Sequence, residues 1–304
     1  MQVIDIDSEL LWRNAQAAKH SSEEGSRHVG YEIDGTVEQI LSTLAPQGPY
    51  GFTVRQQMMP DGELKMQIQT TREEIFEEYK ITRAMCDVFT HSPLVEIRGN
   101  WYLFQEVVNT GQQRSGSTVN TNQTLVLLPV TSSGGITGEI FWYRVPPETL
   151  GRGPTPPDMK TESLDVRLHS LEQHDRYLEA LGKADVDGML AVMNDSVQLA
   201  VRDYVKDTGT LTTPGSKATY GDYWRDFFGK YDLEAVDLLE RVIQEWYVFA
   251  ELRLTLRRRS DGASVAFHTA EFFIPAKDGL FITQIGHGTD EALLDSVEWK
   301  VAAE

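Results

Sequence analysis

The feature that most constrains this chain is a six-residue repeat: Trp101-Tyr102-Leu103-Phe104-Gln105-Glu106 recurs as Trp246-Tyr247-Val248-Phe249-Ala250-Glu251. Both copies lie in aromatic-rich runs that read as strands. Their neighbours repeat as well. Leu128-Pro129 comes 27 residues after the start of the first copy and Ile274-Pro275 comes 28 after the second, each before a Gly-containing turn and a further apolar strand. A polar-aromatic helix precedes each copy, at Thr71-Arg72-Glu73-Glu74-Ile75-Phe76 and at Thr219-Tyr220-Gly221-Asp222-Tyr223-Trp224. One structural unit is therefore expected twice.

Five of the twelve prolines fall between Pro146 and Pro157, in VPPETLGRGPTPPD. Proline fixes φ and removes a backbone donor, so this stretch suits neither a helix interior nor a central strand and reads as a stiff linker. The expected organisation is a first domain over 1–145, a linker over 146–160 and a second domain over 161–304. A chain of this length accommodates two domains of roughly 150 residues each.

The second half reads as helices followed by strands. Leu164, Leu168, Leu171, Leu178 and Leu181 follow helical spacing, and a short helix is expected over 185–193 with Asp185 as its N-cap. A strand over 197–205, a helix at Thr219 and long strands over 236–257, 264–275 and 280–287 complete an α+β unit. In the first half, MMPDGELKMQIQT suggests a hairpin at Pro60-Asp61-Gly62 that the second half lacks.

Acidic residues outnumber basic ones 46 to 28, a net charge of −18, which disfavours nucleic acid and anionic membranes as partners. Arg257-Arg258-Arg259 runs into Ser260-Asp261-Gly262 and reads as a solvated turn. The first residues lack the basic and apolar regions of a secretory signal, and no run approaches the roughly 20 apolar residues of a membrane span, so a cytoplasmic protein is expected. The single cysteine, Cys86, is expected to be a small buried residue.

The segment Asp175-Arg176-Tyr177-Leu178-Glu179-Ala180-Leu181-Gly182-Lys183-Ala184-Asp185-Val186-Asp187-Gly188-Met189-Leu190-Ala191-Val192-Met193 resembles the opening helix pair of SnoaL-like, ketosteroid isomerase-like domains of the nuclear transport factor 2-like superfamily. The resemblance covers 163–290 and reaches 70–145 through the repeat. It implies two tandem cone-shaped α+β domains, each a curved, mostly antiparallel sheet wrapped around helices, with a pocket between the two. Such domains include isomerases, dehydratases, cyclases, epoxide hydrolases, aldol-type lyases and non-catalytic binders, so fold alone does not choose a function.

By that resemblance Tyr177 takes the place of the isomerase tyrosine that donates to a developing oxyanion. Glu271, counted back from Lys277-Asp278-Gly279, takes the place of the second donor, a neutral carboxylic acid. Strand alternation puts Phe267, Thr269, Glu271 and Phe273 on one face, where an acid among aromatics acquires the raised pKa a general acid needs. The isomerase's base is an aspartate on the first strand, and Ala200 stands at that position here, so steroid isomerisation by that route is not expected. His174, one helical turn before Tyr177, and His287, in Gly286-His287-Gly288, are the alternative bases. Arg202, favoured over Asp203, and Tyr220, Tyr223, Trp224, Phe267 and Phe273 are expected to line the pocket. His174, His268 and His287 are isolated and no carboxylate–His pairing has ligand spacing, so no metal site is expected; no cofactor is expected either.

Leu125 matches Glu271 in the repeat and no residue answers to Tyr177, so the first domain is expected to be a degenerate half, with Tyr31, Tyr79 and Lys80 as its available pocket residues. Tyr247, Phe249, Glu251 and Arg253 mix aromatics with charges as an interface does. An intrachain pseudo-dimer is the economical expectation, with further homo-oligomerisation open, and separately tumbling domains in solution scattering would refute it. The functional expectation is a cofactor-independent acid–base enzyme of lyase, dehydratase or isomerase type, acting on an apolar, aromatic or polycyclic small molecule. The alternatives are a non-catalytic small-molecule binder, a polyketide cyclase-like or aldol-type carbon–carbon lyase, and a structural subunit.

Overall fold

A computed structural model describes residues 8–46, 50–58, 64–117, 119–131, 133–144, 163–202, 211–212 and 216–290. The expected linker, the Pro60-Asp61-Gly62 turn and Asp203 lie outside the described residues. Two units can be separated, the first chiefly residues 1–56 and 66–143 and the second chiefly residues 144–295.

In the first unit, α1 (Ser8–Asp34) and α2 (Val37–Ser42) lead to strands β1 (Gly51–Met58) and β2 (Leu64–Gln69), helix α3 (Arg72–Met85), and strands β3 (Cys86–Arg98), β4 (Tyr102–Gln113), β5 (Val119–Pro129) and β6 (Gly138–Tyr143). The second unit repeats this order as α4 (Ser163–Gly182), α5 (Val186–Ala191), β7 (Met193–Arg202), β8 (Leu211–Thr212), α6 (Lys217–Lys230), β9 (Tyr231–Ile243), β10 (Val248–Arg258), β11 (Ser264–Pro275) and β12 (Phe281–Asp290). The six-stranded sheets run β2-β1-β6-β5-β4-β3 and β8-β7-β12-β11-β10-β9. Each has one parallel pair, β1 with β6 and β7 with β12.

Side chains set where the helices begin. Thr36, Thr71 and Ser216 each accept a hydrogen bond from the backbone N–H three residues on, and Gln39, Glu74 and Thr219 return one to the cap's own N–H. Capping boxes of this kind satisfy donors that no helical carbonyl reaches. Asp185 caps α5 by accepting from the Gly188 N–H at 3.0 Å.

Two expectations about the elements change. The run read as one strand over 236–257 is two strands, because a turn closed by Gln244 N–H to Tyr247 carbonyl at 2.9 Å reverses the chain between β9 and β10. The early strand pair is not peculiar to the first half, since β8 pairs antiparallel with β7 in the second.

The repeated hexapeptide has the same setting in both sheets. Trp101 meets Tyr102 edge-on at 5.1 Å and 76°, and Trp246 meets Tyr247 at 5.1 Å and 80°. Phe104 pairs with Leu127, which pairs with Ile140; Phe249 pairs with Phe272, which pairs with Ile285. Because a strand has a side-chain period of two, this shared row sets the equivalence of every other position. Glu271 therefore answers to Val126 rather than Leu125, and Gln284 answers to Glu139. Among the described residues no helix is long and apolar enough to cross a membrane.

Candidate functional site

Tyr177 and Glu271, expected to carry chemistry in the second unit, do meet, through Gln284 in a closed cluster. Gln284 is its hub: Nε2 donates to the Tyr177 hydroxyl at 3.0 Å and to Glu271 Oε2 at 2.7 Å, while the Tyr220 hydroxyl donates to Oε1. The two tyrosine hydroxyls lie 3.3 Å apart. All four side chains are buried. Burial pushes the Glu271 carboxyl up to about 7, against hydrogen bonds from Gln284 and Thr269, and it raises both tyrosines.

Neither expected base sits as the sequence suggested. His174 packs edge-on against Phe273 at 5.1 Å and stacks with Tyr177 at 6.2 Å. Its Nδ1 lies 3.4 Å from Arg241 Nη1, which can only donate, so the ring proton is on Nε2, a buried atom with no hydrogen-bond partner among the described residues. Burial, then the Arg241 charge, lowers His174 to about 3, too weak a base for proton abstraction near neutrality. His287 pairs in register with Ala270 while Glu271 pairs with Gly286, which puts His287 on the opposite face of the sheet. Its flanking glycines make room rather than a pocket mouth: a Cβ on Gly286 would lie 2.5 Å from Glu271 Cβ, and one on Gly288 2.1 Å from the Phe267 ring. Arg202 pairs in register with His287.

Tyr223 and Trp224, expected to line a pocket, fill the space instead. Trp224 contacts Phe227 at 5.3 Å and Phe228 at 5.4 Å, Tyr223 contacts Trp224 at 5.4 Å, and Phe227 contacts Tyr231 at 5.2 Å. Phe267 and Phe273 belong to the same buried core. A cleft of about 270 Å³ in this unit is lined by Gln173, Arg176, Asp185 and Leu280 among others, and by neither Tyr177 nor Glu271.

The first unit, expected to be the degenerate half, holds a cavity of about 530 Å³ between its helices and the helix-side face of its sheet. That volume lies within the range of small-molecule sites. Glu32 from α1 and Tyr79 from α3 line it, with Val29, Ile33, Ile40 and Phe141 as apolar wall. The difference between the units is legible in two helices of equal length. Tyr79, Thr82 and Arg83 of α3 stand where α6 has Trp224, Phe227 and Phe228. Arg83 is held back by the carbonyls of Tyr31 at 2.6 Å and Gly35 at 3.0 Å. Lys80, named from the sequence, pairs instead with Glu77 at 2.9 Å.

The Tyr79 hydroxyl is the centre of this site. It lies 2.8 Å from Glu32 Oε1, 2.7 Å from Glu139 Oε2 and 3.0 Å from His28 Nε2. One hydroxyl proton cannot serve two carboxylates at once. Burial, then the charge of Glu139, raises Glu32 to about 7, although 21% of its side chain remains exposed. Below about pH 7, then, Glu32 holds a proton and offers it to the Tyr79 oxygen, while Tyr79 donates to Glu139. Thr43 gives its own proton to the Ile40 carbonyl at 2.6 Å, so its Oγ1, 2.5 Å from His28 Nδ1, accepts from that ring nitrogen. Burial disfavours a charged His28, yet the carboxylates of Glu139 and Glu32 outweigh it and raise its pKa overall.

His28 also stands as many residues before the Thr36 cap as Tyr177 stands before Asp185, so it is the missing counterpart of Tyr177. His28, Glu32 and Glu139 each place a ligand atom within 4.8 Å of the others, a donor set suited to a divalent cation. This corrects the expectation that no His–carboxylate group has ligand geometry. The i, i+4 spacing of His28 and Glu32 was the available signal.

No family model matches the chain, and no curated protein does. Solved structures do. A candidate polyketide cyclase from Xanthomonas campestris is 17% identical with a TM-score of 0.33, over 40% of this chain and 91% of its own. An LEH-like epoxide hydrolase from M. tuberculosis is 16% identical with a TM-score of 0.33, over 40% and 84%. A ketosteroid isomerase-like protein from Erwinia carotovora atroseptica is 15% identical with a TM-score of 0.32, over 40% and 94%. Each unit has an α+β fold in which helices accompany a six-stranded, mostly antiparallel sheet. Within that fold the first unit keeps open, between helices and sheet, the space that aromatic side chains occupy in the second.

Proposed function

We propose that the chain is a cofactor-independent acid–base enzyme acting on a small molecule in the first unit's cavity, with Glu32 as proton donor and Tyr79 as the hydroxyl that positions it. The observation that supports this reading is the Tyr79 hydroxyl placed between two carboxylates at a cavity wall. Burial, with the facing charge of Glu139, brings the Glu32 carboxyl to about 7, close to the pH at which a general acid is most effective.

In this reading Glu32 passes its proton to a substrate oxygen. The negative charge left on Glu32 is met by the ring of His28, whose Nε2 lies 3.8 Å from Glu32 Oε1, in a buried setting where such an interaction is strong. The same carboxylate then recovers a proton from substrate carbon or water. Dehydration, isomerisation, epoxide opening and cyclisation all begin with protonation or polarisation of an oxygen, so the reading names a reaction type and leaves the member open. The second unit is proposed to be structural, its Tyr177–Gln284–Glu271–Tyr220 cluster closed on itself.

Turnover of a panel of hydroxy-ketones and epoxides tests this. Glu32→Gln and Tyr79→Phe are each expected to lower kcat by about 10²–10⁴-fold, the usual contribution of a positioned acid. Tyr177→Phe and Glu271→Gln are expected to leave it nearly unchanged. The reverse pattern would move the site to the second unit, and binding without turnover in every form would make the protein a binder.

A further inference from the structure

The wall of the cavity that faces the first unit's helices from β3, β4 and β5 is polar. His91 pairs in register with Asn109, and Asn109 with Asn122; the next helix-side row pairs Gly111 with Asn120. All five residues line the cavity together with Glu32 and Tyr79. Glu139, the carboxylate behind Tyr79, enters near the opposite end of β5, where Leu127 pairs with Ile140. The cavity thus has two chemically different ends, one carrying the acid–base group and the other a belt of carboxamides.

The second unit shows what the fold requires at these positions. In its sheet the row of His91, Asn109 and Asn122 is occupied by Val236, Leu254 and Phe267, and the next row by Leu256 and Val265. Apolar residues are therefore compatible with the architecture, and the carboxamides are a property of the open cavity. Asn120 and Asn122 are exposed and Asn109 is half-buried, so the belt stands where a ligand entering the cavity from solvent reaches it.

Two of these side chains have one end already engaged. Thr124 Oγ1 donates to Asn122 Oδ1 at 2.9 Å, so the Asn122 amide nitrogen is the end left to donate. Gln105 donates to Glu96 at 2.7 Å and turns its oxygen, 3.0 Å away, to His91 Nε2, which therefore carries a proton. His91 Nδ1 lies 3.0 Å from the Asn109 carboxamide. A protonated Nδ1 leaves Asn109 a donor toward the cavity, and a bare one leaves it an acceptor, because the amide turns over to match. A hydroxyl, which donates and accepts, satisfies Asn109 in either state and Asn122 as well. Cross-strand neighbours lie roughly 5 Å apart, a spacing that two hydroxyls on adjacent carbons can bridge.

We infer that Asn109 and Asn122 recognise a pair of neighbouring hydroxyls on the substrate, at the end away from Glu32 and Tyr79, so that the ligand class is a small elongated molecule with an oxygen function at one end and a vicinal diol at the other. The inference rests on the first-unit site proposed above.

Calorimetric titration of the full chain with luteolin, a flavone with two adjacent hydroxyls on its outer ring, and with chrysin, which lacks them, tests it without any turnover. The wild type is expected to bind luteolin about tenfold more tightly, the worth of one well-made hydrogen bond or two. Asn109→Leu/Asn122→Leu, nearly isosteric, is expected to abolish that preference and leave the chrysin Kd within about twofold. Asn109→Ala/Asn122→Ala serves as the second form if the leucine variant fails to fold. Equal affinities in the wild type, a preference that survives in a folded variant, or no binding of either flavone would overturn the inference. Loss of turnover in Glu32→Gln combined with equal flavone affinities would overturn it while leaving the acid–base reading standing.

Discussion

Glu139 in β6 and Gln284 in β12 hold the same register position in their two sheets, each one residue before the isoleucine that completes the Phe104 or Phe249 row. The exchange of carboxylate for carboxamide separates a cluster in which two acceptors compete for one proton from a cluster whose hydrogen bonds all close. Gln284 donates twice and accepts once, which satisfies Tyr177, Glu271 and Tyr220 together. Glu139, when ionised, only accepts, so it competes with Glu32 for the single Tyr79 proton and raises the Glu32 pKa.

A pH profile follows from that competition. With Glu32 as donor and a pKa of about 7, kcat/KM is expected to be high at lower pH and to fall as pH rises through about 7. Glu139→Gln removes the facing charge and is expected to move that limb to lower pH. A limb that stays in place in Glu139→Gln would show that another group titrates in the profile.

Chelation distinguishes proton chemistry from metal chemistry at the same residues. His28, Glu32 and Glu139 have ligand geometry, but the Tyr79 hydroxyl stands among them and meets all three. Turnover is expected to be unchanged after dialysis against EDTA, and added zinc or manganese is expected to inhibit by displacing Tyr79. Activity lost with EDTA and restored by one cation would assign the trio to a metal instead.

The repeated hexapeptide carried the fold, because an aromatic strand with the same neighbours on both sides leaves few alternatives to a duplicated α+β unit. The site was less legible for reasons of geometry. Glu139 in β6 reaches His28 in α1, and meets Glu32 at the Tyr79 hydroxyl, from far along the chain, a contact that no local spacing announces. Counting back from the caps Thr36 and Asp185 would have set His28 under Tyr177. His287 misled because its place at the end of the last strand suggested the pocket mouth, whereas the register puts it on the face of β12 opposite Glu271. The aromatic run of α6 suggested a lined pocket; rings of that size, at positions where α3 has Thr82 and Arg83, close it.

Glu271 gives the second unit a stability that depends on pH. Its folded pKa of about 7 lies above its ordinary value of 4.5, so the folded state holds a proton that the unfolded state has released between those values. The contribution is fully present below about pH 4.5 and is lost as pH rises through about 7, with an upper limit of roughly 3 kcal/mol for a shift of that size. Glu271→Gln cannot ionise, and its advantage over the wild type in urea unfolding is expected to grow across that window. Parallel curves for the two proteins would mean that Glu271 titrates normally.

His174 imposes the opposite slope on the same unit. Its folded pKa of about 3 lies below the ordinary 6.5, so the unfolded chain takes up a proton that the folded ring refuses. Stability from this residue is fully present above about 6.5 and is lost as pH falls toward 3. His174→Leu keeps the packing against Tyr177 and Phe273 and removes the buried Nε2 proton that lacks an acceptor. The variant is expected to unfold at lower pH than the wild type while retaining turnover, since the proposed chemistry lies in the first unit. Turnover that falls by more than about tenfold in a folded His174→Leu protein would return the base to the second unit and sink the assignment to Glu32.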